Sequence, residues 1–307
     1  MDFKHRREKS PSIIRRNRRI FRAAIFIMII CAATLPCYMI WEAKHPLITK
    51  LEIEGAPERI VFIADPHLRE ANIEYFNEVI DTINEIEPSI VLIGGDFIAG
   101  AEENVEIQKI WSKINAPTYA ILGNHDYHAG DDSQSAVLKM TELSHSNLTK
   151  EGYNVSNLYG PNIDYALADS LEAVLESSGV NVLRNEYLTL DLGGKDLMIV
   201  GIDDCWAGMS RPPDVPEHDE FTIYLIHEPD CAAGWDADLI LAGHTHGGQV
   251  VFPYIRPFMK ENEYVRMSGM LEADGTPLYV TRGIGSTAHM GLEFRFDAPP
   301  EIVIINP

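Results

Sequence analysis

The chain is predicted to be an α/β protein carried behind one N-terminal transmembrane helix. Short apolar runs of strand length alternate with longer stretches of helical periodicity, the pattern of a layered fold built on a partly parallel sheet. Most of those runs stop at a small cluster of Gly, Asp, Asn and His. A segment without charge, Ala23 to Trp41, precedes them and is long enough to cross a bilayer as a helix.

Charge divides the 307 residues unevenly. Up to Lys44 there are ten Lys and Arg against three Asp and Glu, leaving 15 against 43 in the remainder. A body so acidic repels a nucleic-acid backbone, so no nucleic-acid partner is expected. Residues 1–22 are read as a basic cytoplasmic leader and 23–41 as the membrane span, with Tyr38 and Trp41 suited to the far interface. No small-residue cleavage site follows, which favours a signal anchor over a cleaved peptide. Arg18-Arg19-Ile20-Phe21 also resembles a twin-arginine export signal. Either reading leaves the basic flank in the cytoplasm and puts the body on the extracytoplasmic face of the cell membrane.

Residues 42–58 are read as a linker and first strand, and 59–307 as the folded domain. Arg59–Ala64 (RIVFIA) is a buried strand ended by Asp65-Pro66-His67, where Pro66 cannot donate to a ladder. Asn72–Glu87 sets Tyr75, Phe76, Val79, Ile80, Ile83 and Ile86 at helical spacing, a core-facing stripe. Ser89–Ile93 is the next strand, closing in Gly94-Gly95-Asp96. The amphipathic stretch Val105–Ile114 leads to the strand Thr118–Leu122 and then to Gly123-Asn124-His125-Asp126. From about 128 to 166 the chain is polar with short apolar groups, read as a lid-like insertion beside the site.

Leu167–Ser178 is read as a helix, and Asn181–Leu192 as strand material before a Gly193-Gly194 turn. Leu197–Ile202 closes in Asp203-Asp204, which are read as braces rather than metal ligands. Thr222–Ile226 closes in His227-Glu228-Pro229-Asp230, and Leu239–Ala242 in Gly243-His244-Thr245-His246. Leu278–Thr281 leads to Arg282-Gly283-Ile284-Gly285, and Glu301–Ile305 is the last strand. The four cysteines make no metal knuckle, and Cys205 and Cys231 are read as free.

Ligands in such layouts collect at the carboxyl ends of strands. Those ends present Asp65, His67, Asp96, Asn124, His227, His244 and His246, and with His125 they take five of the eleven histidines. On an extended chain alternate residues point the same way, so Asp65 with His67, and His244 with His246, can face one cleft. Mixed His, Asp and Asn donors suit Mn, Fe, Zn or Ni rather than Ca or Mg. Seven donors exceed one tetrahedral ion, and a shared carboxylate lets two divalent metal ions sit about 3.5–4 Å apart, clamp a phosphoryl group and acidify a water between them.

In order and separation, these blocks resemble the five motifs of the calcineurin-like metallophosphoesterases, from about Arg59 to the C-terminus. The resemblance implies a four-layer αββα sandwich of two mixed β-sheets and a metal-dependent hydrolase. It further implies that Asp65, His67 and His246 hold one metal, that Asn124, His227 and His244 hold the other, and that Asp96 bridges both. His125 is then the non-ligand catalytic histidine, which stabilises the transferring phosphoryl group or protonates the leaving oxygen, and Asp126 orients its ring. Arg282 is a candidate substrate-phosphate contact, with a structural role beside a turn carbonyl as its rival.

Gly201-Ile202-Asp203-Asp204, His227-Glu228-Pro229, Gly247-Gly248-Gln249, Arg282-Gly283-Ile284-Gly285 and Pro299-Pro300-Glu301-Ile302 resemble the membrane-anchored or exported branch. That branch is similar to UDP-2,3-diacylglucosamine pyrophosphatase-type enzymes. A phosphodiester or pyrophosphate in a lipid-linked or nucleotide-sugar-lipid substrate is the expected target. A broad phosphomonoesterase and a non-catalytic metal-bound surface module are the alternatives.

Overall fold

The computed structural model describes residues 11–100, 104–252, 267–289 and 291–307. Helix α1 (Pro11–Glu42) is long and apolar enough to cross a membrane, and only its C-terminal end, from Tyr38 on, is seen to meet the body among the described residues. The chain then enters β1 (Leu47–Glu52), β2 (Ile60–Ile63), β3 (Ile90–Gly94), β4 (Thr118–Ile121) and β5 (Val180–Val182). Strands β6 (Glu186–Asp191), β7 (Asp196–Gly201), β8 (Phe221–Leu225), β9 (Leu239–Ala242), β10 (Gly269–Ala273) and β11 (Thr276–Val280) follow. A short ribbon, β12 (Ala288–His289) with β13 (Leu292–Glu293), precedes β14 (Glu301–Asn306).

Two six-stranded mixed sheets result, ordered β1-β14-β2-β3-β4-β5 and β10-β11-β9-β8-β7-β6. In the first, β2 to β5 run parallel and β14 runs against β2; in the second, β7, β8, β9 and β11 run parallel between antiparallel edges. The central strands read as unbroken apolar runs because both their faces are covered. Ile60, Phe62, Leu92 and Ile121 meet Ile199, Leu225, Leu239 and Leu241 between the sheets.

The other face of the first sheet takes helix α2 (Ile73–Ile86), the 3-10 turns of Val105–Lys113 and, beyond the helix α3 (Ser133–Leu143), helix α4 (Tyr165–Ser177). Its Val61, Ile93 and Val180 pack on Phe76, Trp111 and Leu171. Helix α2 stops where Glu87 turns left-handed (φ 53°) and Pro88 bars continuation. Trp235, stacked on Tyr224 at 5.0 Å, covers the outer face of the second sheet with Ala232 and Ala233.

The insertion at 128–166 contains more order than its polarity suggests. Asp132 caps α3 by accepting from the backbone N–H of Gln134 and Ser135. Val155, Leu158 and Ile163 are buried in the core under the first sheet. Cys205 and Cys231, read from the sequence as free, instead form a disulfide. The reason is topological: β7 and β8 are adjacent and parallel, so the loops leaving their carboxyl ends meet.

Candidate metal centre

The candidate residues lie on loops leaving β2, β3, β4, β8 and β9, where the carboxyl ends of both sheets converge. Backbone bonds lace these loops together: Asp65 N–H donates to Gly95 O (3.0 Å), His67 N–H to Asp96 O (3.0 Å) and Gly243 N–H to His227 O (3.1 Å). The chain here is not extended. Asp65, His67, Asp96, His244 and His246 all have positive φ, from 43° to 69°. The loops after β2, β3 and β9 therefore turn their ligand residues inward by left-handed kinks instead of by strand alternation. Room is made by glycine: a Cβ on Gly123 would lie 2.4 Å from Asp96 Oδ1, and one on Gly243 would lie 2.7 Å from Asp65 Oδ2.

All seven expected donors come together. Asp65, His67 and His246 form one cluster of ligand atoms within 4.8 Å of one another, and Asp96, His227 and His244 form another. Asp96 Oδ2 stands between the two, 3.5 Å from His67 Nε2 and 3.2 Å from His227 Nε2. Asn124 donates its amide N–H to Ala129 O (2.7 Å), which aims Oδ1 at His244 Nδ1, 2.9 Å away.

The donor chemistry fits divalent ions. His67 and His227 each donate Nδ1–H to a carbonyl, of Ile98 (2.8 Å) and Gly94 (2.7 Å), which turns Nε2 of each toward the cluster. Among the described residues Asp65 Oδ2 is buried without a hydrogen-bond partner and His227 Nε2 has only the Asp96 carboxylate beside it, a costly arrangement that a cation in each cluster would relieve. Burial holds the His67 imidazole down at about 4 and the His244 imidazole at about 3, so both are neutral donors at neutral pH. Burial pushes the Asp65 carboxyl up to about 7, opposed by His227. At Asp96 burial works the same way, but His227, His125 and His67 outweigh it and hold the carboxyl well below its ordinary value.

Residues 58–248 match the calcineurin-like phosphoesterase family. The chain belongs to that family. Calcineurin-like phosphoesterases use dinuclear metal centres, and the two His/Asp clusters are groups able to hold such ions. An uncharacterized metallophosphoesterase of Bacillus subtilis, YkuE, is 30% identical over 90% of this chain and 88% of its own length. The phosphodiesterase YaeI of Escherichia coli is 28% identical over 82% of this chain and 83% of its own. This likeness extends beyond the matched 58–248 segment.

Two expected residues meet other partners in the structure. Asp126 does not touch the His125 ring: its carboxylate accepts from the backbone N–H of Asp96 (3.0 Å), Gly123 (2.9 Å) and Ile98 (2.9 Å), tying the loops after β3 and β4 together. Asp131 faces that ring instead, with Oδ1 3.3 Å from His125 Nδ1 and Oδ2 2.5 Å from His128 Nδ1. Arg282 is committed to structure, donating to Glu301 Oε1 (2.6 Å) and to Pro299 O (3.1 Å), because its strand end packs against β14. Asp203 and Asp204 act as braces: Asp203 accepts from Tyr127 (2.5 Å) and Arg184 (2.9 Å), and Asp204 from Ala207 N–H (2.5 Å).

Three residues had no sequence signal. Arg295, fully buried, donates to the His246 and Ala298 carbonyls (3.2 and 2.8 Å) and to Gly285 O, and its Nη2 lies 3.2 Å from His246 Nδ1. Trp206, held beside the disulfide, sets its ring edge to His244 at 4.6 Å. Asp131 lies in the polar insertion, where nothing in its spacing marks it.

Proposed function

We propose that this chain is a two-metal phosphohydrolase cleaving a phosphodiester or pyrophosphate bond, with a lipid-linked phosphate as its favoured substrate. Asp65, His67 and His246 hold one ion in this reading, Asn124, His227 and His244 the other, and Asp96 is shared. The position of Asp96 Oδ2, 3.5 and 3.2 Å from imidazoles of the two clusters, carries the reading. When bound, a pair of Mn, Fe, Zn or Ni ions supplies Lewis acidity to the phosphoryl oxygens and lowers the pKa of water. The chain's own residues do the rest. The left-handed loops hold the donors in register before substrate arrives. His125, at the rim with its ring 4.8 Å from that of His67, is placed to give a proton to the leaving oxygen, and Asp131 keeps the ring from turning away.

The diester preference draws support from the likeness to a protein named as a phosphodiesterase. The outer-face location draws support from the basic leader and from the Cys205–Cys231 disulfide, since such bonds persist in oxidising compartments. Paired assays with para-nitrophenyl mono- and diesters after Mn loading test the activity. A diester preference abolished in His125→Ala is expected; a monoester preference, or turnover indifferent to His125, overturns the reading. Protease added to intact cells should degrade the body and spare the leader.

A further inference from the structure

The foot of helix α1 is packed against residues 295–298, the strap that backs the metal centre. Arg295 N–H donates to Met39 O (3.1 Å), Ala298 N–H to Glu42 Oε1 (3.0 Å), and the Tyr38 ring meets Phe296 edge-on at 6.0 Å. Met39 to Glu42 spans three residue steps of helix, about 4.5 Å of rise. The 295–298 strap therefore lies level with the end of the membrane span, not above it. One guanidinium, that of Arg295, connects this strap to His246.

Topology puts the whole site at that end. Strand β1 leaves the helix foot and runs parallel to β14, while β2 runs against β14. The carboxyl ends of β2, β3 and β4, which carry Asp65, Asp96 and Asn124, thus lie at the end of the sheet from which β1 starts.

Apolar side chains are left uncovered around the same foot. Trp41 is 52% exposed, Leu292 on β13 is 48% exposed, and Phe252, 41% exposed, packs on Phe296 at 5.3 Å. Aromatic rings at the end of an apolar span are the usual marker of the bilayer–water interface. A patch of this kind continuous with a span has the membrane as its natural cover.

We propose that the face formed by Trp41, Phe252, Leu292 and Phe296 seats in the headgroup region beside the anchor, so that the metal centre opens at the membrane surface and takes a phosphate carried by a membrane-resident amphiphile. This rests on the metal centre and the anchor proposed above. The test uses the full chain in phosphatidylcholine vesicles, with Cys31→Ser and Cys37→Ser to leave one reactive thiol. A fluorophore on Leu292→Cys should be quenched by doxyl-labelled lipid, and one on Asp196→Cys, at the opposite end of the second sheet, should not. A second arm compares an acyl-chain para-nitrophenyl phosphodiester in the vesicle with water-soluble bis(para-nitrophenyl) phosphate. Leu292→Glu should lower the ratio of the two turnovers about tenfold, the loss of roughly one buried Leu side chain's transfer energy. Equal quenching at the two positions, or an unchanged ratio, overturns the proposal. A wild-type chain that cleaves neither diester refutes the activity instead, while the quenching arm still decides the surface.

Discussion

At Asp65, His67, Asp96, His244 and His246 the backbone is held where side-chain-bearing residues rarely settle, at a cost of about 1–3 kcal/mol each. The surrounding ladder bonds and buried apolar strands impose that cost, and what it returns is convergence of donors from three of the five loops. Asp96 matters most because its carboxylate serves both clusters. Asp96→Asn keeps the shape but removes the shared charge. Metal analysis of the purified chain should fall from two equivalents to one or none, and kcat/KM should drop by more than the roughly 10–100-fold that loss of an outer partner costs. Two retained equivalents would refute the shared role. Asp131 acts only through His125, so Asp131→Asn should lower kcat by less than His125→Ala does, with KM little changed. General acid–base groups contribute about 10²–10⁴-fold, and about tenfold is expected for the positioning residue in steady-state kinetics.

At the scale of loops and strands, the disulfide joins the turn after β7 to the turn that bears His227. Its sequence separation of 26 predicts about 3 kcal/mol of stabilisation by restricting the unfolded chain. Cys205→Ser with Cys231→Ser should lose about that much in urea unfolding, and should also loosen Trp206 from His244, so one metal equivalent weakens first. Undiminished stability and metal content together would count against both effects. The strand ends were legible because buried parallel strands are unbroken apolar runs and their terminal clusters interrupt them visibly, as at RIVFIA before Asp65. The donors themselves were legible, though for a reason that does not hold: alternation on an extended chain predicted that Asp65 and His67 converge, whereas left-handed turns bring them together. Pairing of Cys205 with Cys231 depends on which strands are neighbours, and strand order is not written in local pattern. The helix α3 was hidden because its apolar Val137, Leu138 and Met140 face outward and leave no buried stripe. Arg295 was invisible since a lone Arg between Phe294 and Phe296 resembles a surface residue until the fold buries it.

For the molecule as a whole, the acidic body folds around a centre whose carboxylates repel one another. Asp65 and Asp96 are both fully buried, and the Arg295 guanidinium and His227 oppose the rise that burial imposes on Asp65. Two divalent ions bound only by the native chain therefore stabilise it by mass action, about 2.7 kcal/mol for each site at a free concentration a hundredfold above Kd. With about 2–4 °C per kcal/mol for a domain of this size, chelation should lower Tm by roughly 5–10 °C for each site emptied. Scanning calorimetry of the loaded and chelated full chain in detergent measures it. Asp96→Asn should lower the Tm of the chelated protein below that of the chelated wild type, because the surrounding histidines hold this carboxyl below its ordinary value and its charge therefore stabilises the fold at neutral pH, and the variant should gain little on adding Mn. A chelated wild type as stable as the loaded one would mean that the buried donors are satisfied without metal, and the dinuclear centre would lose its physical basis.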